Sequence, residues 1–130
     1  MVKIFLYAAL GVTLLLGGLG ISSVMLSAVR ERTTEIGLRK AVGATEPMIM
    51  IQFLLEAVLI SFLGTILGIV VGTISVEVLK EIFGTIPDYR IFVISVVSGV
   101  LFSCFLGIIS GFVPARRASR LDPAEAMRFE

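Results

Sequence analysis

Histidine and tryptophan are absent from this 130-residue chain, cysteine occurs once, and only 16% of residues are charged. Without histidine, neither a Ser-His-Asp nor a Cys-His nucleophilic site can be assembled, and zinc loses its commonest ligand. The single Cys104 cannot close an intrachain disulfide and reads as a small packing residue. The five methionines are scattered and carry no metal role. A net charge of +1 offers no broad basic face, which excludes nucleic acid as a partner. What the chain does hold is 57% apolar residues and 13 glycines. Together they make up about two-thirds of the sequence, against roughly 45–50% for the same set in soluble proteins. Mean hydropathy is +1.05. A soluble fold of this size cannot hide so much apolar surface. The composition therefore points to an all-α, polytopic membrane protein with little catalytic equipment.

Charge spacing locates the spans. A hydrocarbon core of about 30 Å needs roughly 20 helical residues. Residues 4–29 and 91–115 contain no charge, and residues 47–76 contain only Glu56. Three transmembrane helices are predicted near 4–27, 48–71 and 91–113, within a single segment covering 1–130. Their lengths exceed that of a signal-peptide core. Arg30, Arg32, Arg39, Lys40, Arg116, Arg117, Arg120 and Arg128 fall on one side, and only Lys3, Lys80 and Arg90 on the other. The imbalance places the first connection and the tail (114–130) in the cytoplasm and the N-terminus outside. Met1 lies almost on the first span with no polar lead-in. That arrangement predicts a segment upstream, in a longer protein of the cell membrane.

The first connection predicts a short amphipathic helix at about 35–42. Leu38, Ala41 and Val42 share one side, and Glu35 and Arg39 form a favourable i,i+4 pair. Gly37 weakens this helix by roughly 1 kcal/mol relative to alanine, which suggests close contact or flexibility. Gly43 supplies the stop, and Thr45 followed by Glu46 and Pro47 supplies the restart. The residues themselves leave two readings open: an interfacial anchor on lipid headgroups, or a docking element for a cytoplasmic partner. The second connection, Glu77–Arg90, is broken by Gly84 and Pro87 and reads as a solvated external loop. In the tail, Asp122, Pro123 and Glu125 form an N-terminal signature for a short helix at about 123–129.

Within the spans, Gly64, Gly68 and Gly72 recur every four residues, as do Gly99, Ser103, Gly107 and Gly111. Such stripes let helix backbones approach where lipid supplies no hydrophobic push. The first span has Gly11, Gly17, Gly18 and Gly20 clustered instead, reading as a bendable helix or one crossed closely by a neighbour. Glu56 is the only ionisable acid or base inside a span, counting Asp, Glu, His, Lys and Arg, with Gln52 one turn earlier on the same face. An ion or proton relay would need companions that this sequence does not supply. A polar helix–helix or near-interface contact is the favoured role.

Three runs resemble one family: VRERTTEIGLRKAVGAT over Val29–Thr45, QFLLEAVLIS over Gln52–Ser61, and PARRASRLDPAEAMR over Pro114–Arg128. In order and spacing they are similar to the MacB/FtsX-type ABC transporter permeases, across nearly the whole chain. The resemblance implies the last three membrane helices of such a permease, without the first helix and the extracytoplasmic domain. It implies a homodimer served by an ABC ATPase carrying ATP and Mg, with no cofactor and no metal in this chain. It implies that Glu35, Ile36, Gly37, Leu38, Arg39, Lys40, Ala41, Val42 and Gly43 couple the ATPase to the membrane helices. Glu56 matches a glutamate of the family motif. Members transmit ATP-driven motion to an extracytoplasmic domain, export substrates, release lipoproteins or regulate cell-wall hydrolases, and the absent domain would supply any extracytoplasmic partner. No Gly-x-x-x-x-Gly-Lys-Ser/Thr phosphate loop is present, so the chain is not the ATPase. The alternative is a small membrane scaffold without ATP coupling. An intramembrane enzyme is disfavoured because Asp88 and Asp122 both lie outside the spans.

Overall fold

The computed structural model describes residues 1–84 and 89–122. Among these residues the chain forms four helices: α1 Val2–Glu31, α2 Thr33–Ala41, α3 Glu46–Phe83 and α4 Tyr89–Ser119. Three of them are long and apolar enough to cross a membrane. At 1.5 Å per residue, the 38 residues of α3 extend about 57 Å, well beyond a hydrocarbon core of about 30 Å. The helix predicted over 123–129 lies outside the described residues.

Two departures from the sequence reading have simple causes. The second connection is mostly helix rather than loop: α3 runs through Glu77, Lys80 and Glu81 and stops only at Gly84, whose φ of 66° is left-handed. Nothing before that glycine breaks the helix, and Lys80 pairs with Glu77 at 3.5 Å one turn away. At the other end of the membrane, α4 continues through Pro114 to Ser119 instead of ending near residue 113. Proline within a helix lacks the N–H that would bond the carbonyl four residues earlier. Here that carbonyl belongs to Ser110, and the Ser22 hydroxyl of α1 donates to it at 2.6 Å. A neighbouring helix thus satisfies the group that proline leaves open, as is usual for proline in membrane helices.

The buried apolar residues gather at one end of the bundle. Met25 and Val29 of α1, Ile36 of α2, Ile49, Phe53 and Ala57 of α3, and Ala115 and Ala118 of α4 form one cluster. Toward the opposite end the apolar side chains are exposed, which is the expected face toward lipid. α4 packs mainly on α3 and then on α1, whereas α1 and α3 barely meet.

The small residues explain where close packing occurs. A Cβ placed on Gly107 would lie 2.5 Å from Ser61 Oγ and 3.2 Å from the Ala57 carbonyl oxygen. One placed on Gly111 would collide with the Ala57 Cβ, and one on Gly18 would lie 2.9 Å from Ser110 Oγ. Ser103 donates to the Ser61 carbonyl at 2.9 Å across the α3–α4 seam. Gly64, Gly68, Gly72 and Gly99 meet nothing within 4 Å of a built Cβ. In that half α3 and α4 leave a groove of about 360 Å³, lined by Gly68, Gly72 and Gly99 among others. The glycine stripes therefore hold the helices together only near the α2 end.

Candidate functional site

The charged elbow between α1 and α3 is held by every long helix. A single residue, Arg32, joins α1 to α2, with φ −104° and ψ 18°. Hydrogen bonding nearly continues across the joint: Arg32 N donates to the Ala28 carbonyl at 3.1 Å, and Ile36 N to the Arg32 carbonyl at 3.0 Å. Thr33 Oγ1 lies 3.0 Å from the Val29 carbonyl and 2.8 Å from that of Arg30, capping the end of α1. These bonds restrain the joint between α1 and α2.

α2 forms because Glu35 stands in its first turn and Arg39 and Lys40 in its last, complementing the helix dipole. Arg39 pairs with Glu35 along the helix. The helix ends where Val42 N bonds the Leu38 carbonyl at 3.1 Å and Gly43 takes a φ of 105°. Thr45 then stands at the N-cap of α3 by backbone conformation, but its hydroxyl makes no capping bond. Its carbonyl accepts from Met48 N at 3.1 Å and Ile49 N at 3.3 Å.

Three polar contacts fasten α2 and its joint to the rest. Arg32 Nη1 donates to Glu56 Oε1 of α3 at 3.1 Å. Arg39 Nη1 donates to Gln52 Oε1, one turn nearer the start of α3, at 3.0 Å. Lys40 Nζ reaches the Ser119 and Leu121 carbonyls, each at 2.8 Å, and so caps the end of α4. Ile36 and Gly37 complete the attachment by burial against the core. Gln52 and Glu56 thus face the elbow. Glu56 lies ten residues beyond Glu46, about 15 Å along α3, and its carboxylate meets a guanidinium there.

The remaining face of α2 is apolar and uncovered. Leu38 is 58% exposed and Val42 80% exposed, and Ala41 lies between them. The helix has therefore turned Arg39 and Lys40 onto α3 and α4 and Ile36 into the core, leaving Leu38, Ala41 and Val42 outward. Of the remaining residues of interest in the spans, Gly107 and Gly111 sit directly behind this end of the bundle. Ser103 lies farther along, and Gly64, Gly68, Gly72 and Gly99 line the open half. Sequence reasoning missed Arg32 as the partner of Glu56, Lys40 as the cap of α4, and the Ser22–Ser110 bond. Pro114 within an apolar run signals that some carbonyl needs an outside donor, but the donor is chosen only by tertiary packing.

Among the described residues, no group of three or more His, Cys, Asp or Glu side chains could hold a metal ion. Two grooves between the long helices, beside Gly68 and beside Gly18, are lined by small and apolar residues with a few hydroxyls and no ionisable side chain, whereas a third, at the α2 end, carries Glu46, Arg116 and Arg120. α2 and its joint thus touch α3 through two side-chain contacts and α4 through Lys40.

Comparison with known proteins places the chain in a family. Residues 7–123 match the family described as FtsX-like permease C-terminal. The chain is 42% identical over 122 residues to the ABC transporter permease YknZ of Bacillus subtilis, covering 92% of this chain and 30% of that protein. It is 44% identical over 130 residues to the macrolide export ATP-binding/permease protein MacB of Syntrophobacter fumaroxidans, covering 100% of this chain and 18% of that one. With MacB of Psychrobacter arcticus the identity is 41% over 116 residues, 89% of this chain and 17% of the relative. The chain thus spans less than a third of the length of these relatives. Matched over most of its length and built from three apolar helices of membrane-spanning length, the chain is a membrane protein that belongs to the FtsX-like permease family, as an ABC transporter permease segment of the FtsX/MacB type.

Proposed function

We propose that this segment transmits movement from a cytoplasmic ABC ATPase to its membrane helices and onward to an extracytoplasmic domain, with α2 as the contact on the ATPase. One observation carries the reading: α2 is braced to α3 and α4 by Arg32, Arg39 and Lys40 while Leu38 and Val42 stand outward without cover. A helix serving only as a lipid anchor would not need polar braces to two other helices. A brace is what carries a displacement without dissipating it in the joint. On this reading the elbow and the C-terminus face the cytoplasm, as the charge asymmetry indicates. ATP and Mg bind on the partner ATPase. A second copy of the permease completes the assembly.

Transmission fits these helices better than conduction. Glu56, the one carboxylate within the predicted spans, is engaged by Arg32 at the elbow, and the two grooves beside Gly68 and Gly18, along the apolar stretches, hold no charged group. A polar substrate would find no relay of groups along them. Export, lipoprotein release and cell-wall regulation remain the processes this movement would serve, chosen by the extracytoplasmic portion.

The test uses the full-length permease reconstituted with its ATPase. Leu38→Glu with Val42→Glu places carboxylates on the outward face without touching a brace. ATPase binding, and the change in hydrolysis rate on permease association, should both be lost while folding and membrane insertion persist. Normal assembly and unchanged hydrolysis in this variant would remove α2 as the coupling element. Normal assembly in which the wild-type permease never alters hydrolysis would favour a scaffold without ATP coupling.

A further inference from the structure

We propose that the groove between the start of α3 and the end of α4 is a binding site for one anionic glycerophospholipid. The groove has a volume of about 450 Å³ and is lined by Glu46, Pro47 and Met50 of α3 and Phe112, Arg116 and Ser119 of α4, with Arg120 just beyond. This inference rests on the membrane location of the chain and not on ATP coupling.

Three observations carry it. First, Arg116 and Arg120 are four residues apart on one face, and neither makes an ion pair or side-chain hydrogen bond among the described residues. Like charges at this spacing repel, so the pair is relieved by an anion lying between them. They are not needed to cap α4, because Lys40 already holds the Ser119 and Leu121 carbonyls. Second, the lining changes character along the groove. Arg116 is the first charge after the uncharged stretch 91–115, and Phe112 lies one turn deeper on the same face, opposite Met50. A headgroup at the arginines would lead its acyl chain straight over Phe112 and Met50. Third, Arg116 follows directly on an uncharged stretch of span length, where a helix leaving the hydrocarbon meets lipid phosphates, and guanidinium groups bind phosphate oxygens bidentately.

Glu46 sets the selectivity. Its carboxylate at the rim opposes a bare, highly charged anion, and it can pair with a donor group on a headgroup. A single phosphodiester with hydroxyls beyond it, as in phosphatidylglycerol, fits two guanidiniums and one carboxylate. The Ser119 hydroxyl is occupied, donating to the Arg116 carbonyl at 3.0 Å, and adds no contact.

The experiment is native mass spectrometry of the full-length permease in detergent, supplied in turn with phosphatidylglycerol and phosphatidylcholine at equal concentration. Phosphatidylglycerol should be retained preferentially. R116Q/R120Q should lower its occupancy about tenfold, the scale of one lost charge-assisted bond. Arg30→Gln, which removes an exposed arginine at the same membrane level, should leave occupancy unchanged. R116K/R120K keeps the charge without the planar fork and should retain an intermediate share. An unchanged helical spectrum and elution volume in R116Q/R120Q show that the variant is folded. Equal retention of both lipids, undiminished phosphatidylglycerol binding in R116Q/R120Q, or equal loss in Arg30→Gln would each overturn the site. So would displacement of the lipid by glycerophosphate, which would mark a site for a free anion. Loss of the ATPase from R116Q/R120Q with lipid occupancy intact would assign the groove to a protein partner instead.

Discussion

Gly111→Ala isolates the contact on which the α3–α4 seam depends. A methyl group at that position collides with the Ala57 Cβ, which is attached directly to the α3 backbone and cannot rotate away. Ordinary carbon–carbon contact requires about 3.5–4.0 Å, so the two helices must separate by more than an ångström. Separation would also stretch the Ser103–Ser61 bond, now 2.9 Å, and lift Gly107 off Ser61. Overpacking of this kind costs about 1–3 kcal/mol. Replacing glycine by alanine within a helix simultaneously gains up to about 1 kcal/mol in propensity, so the net loss understates the clash. The assay is denaturant-titrated unfolding of the full-length protein in mixed micelles, comparing Gly111→Ala with Gly64→Ala, where a built Cβ meets nothing within 4 Å. Gly111→Ala should be less stable than parent by about 1–2 kcal/mol, and Gly64→Ala should equal or slightly exceed it. Adding Ala57→Gly to Gly111→Ala moves the methyl across the seam and cancels the propensity terms, and it should restore most of the loss. Equal stability of the two alanine variants, or no rescue by Ala57→Gly, would refute the claim that the seam is closed by backbone approach at this point.

Ser22→Ala should cost about 1–3 kcal/mol by orphaning the Ser110 carbonyl, and much less in a Pro114→Ala background, where residue 114 regains an N–H for that carbonyl; a double-mutant unfolding cycle reads the difference. Lys40→Met should lose about 1.5–3 kcal/mol of local stability and raise hydrogen exchange in α2 and the last turn of α4, with little change at the far ends of the spans. Arg32 and Glu56 have side chains 48% and 33% exposed, so their coupling in a double-mutant cycle should be only about 0–1 kcal/mol and should shrink at high salt. The contribution of this pair is to the position of the joint rather than to global stability.

The helical membrane architecture was legible because hydrocarbon thickness imposes a length on uncharged runs, and 4–29, 47–76 and 91–115 meet it. The elbow was legible for a local reason: Gly43 and the Thr45–Pro47 restart are short-range signals. Less legible was where each helix ends. Glu77, Lys80 and Glu81 look like loop residues by charge, yet charge does not break a helix that has already left the membrane, and only Gly84 does. The third span was expected to end near residue 113, yet α4 runs on through Pro114, whose cost depends on whether a donor such as Ser22 comes within reach, which no local pattern reveals. The glycine stripes were readable as repeats but not as contacts. Two helices that cross meet over only part of their length, and here that part holds Gly107 and Gly111 while Gly68, Gly72 and Gly99 face a groove. Arg39 and Lys40 carried a similar ambiguity: a basic residue at the end of a helix serves equally a partner, a headgroup or a neighbouring helix end, and the structure turns both inward.

Site-specific crosslinking from the outward face of α2 tests the central claim most directly. In the full-length permease with Cys104→Ser, Leu38→Cys carries a benzophenone probe and is irradiated in membranes that contain the ATPase. The account predicts an ATPase adduct whose yield changes between nucleotide-free and ATP-bound states, while the same probe placed by Leu101→Cys, on the exposed face of α4, gives none. Adducts from Leu38→Cys to lipid alone, with the ATPase present and active, would contradict it.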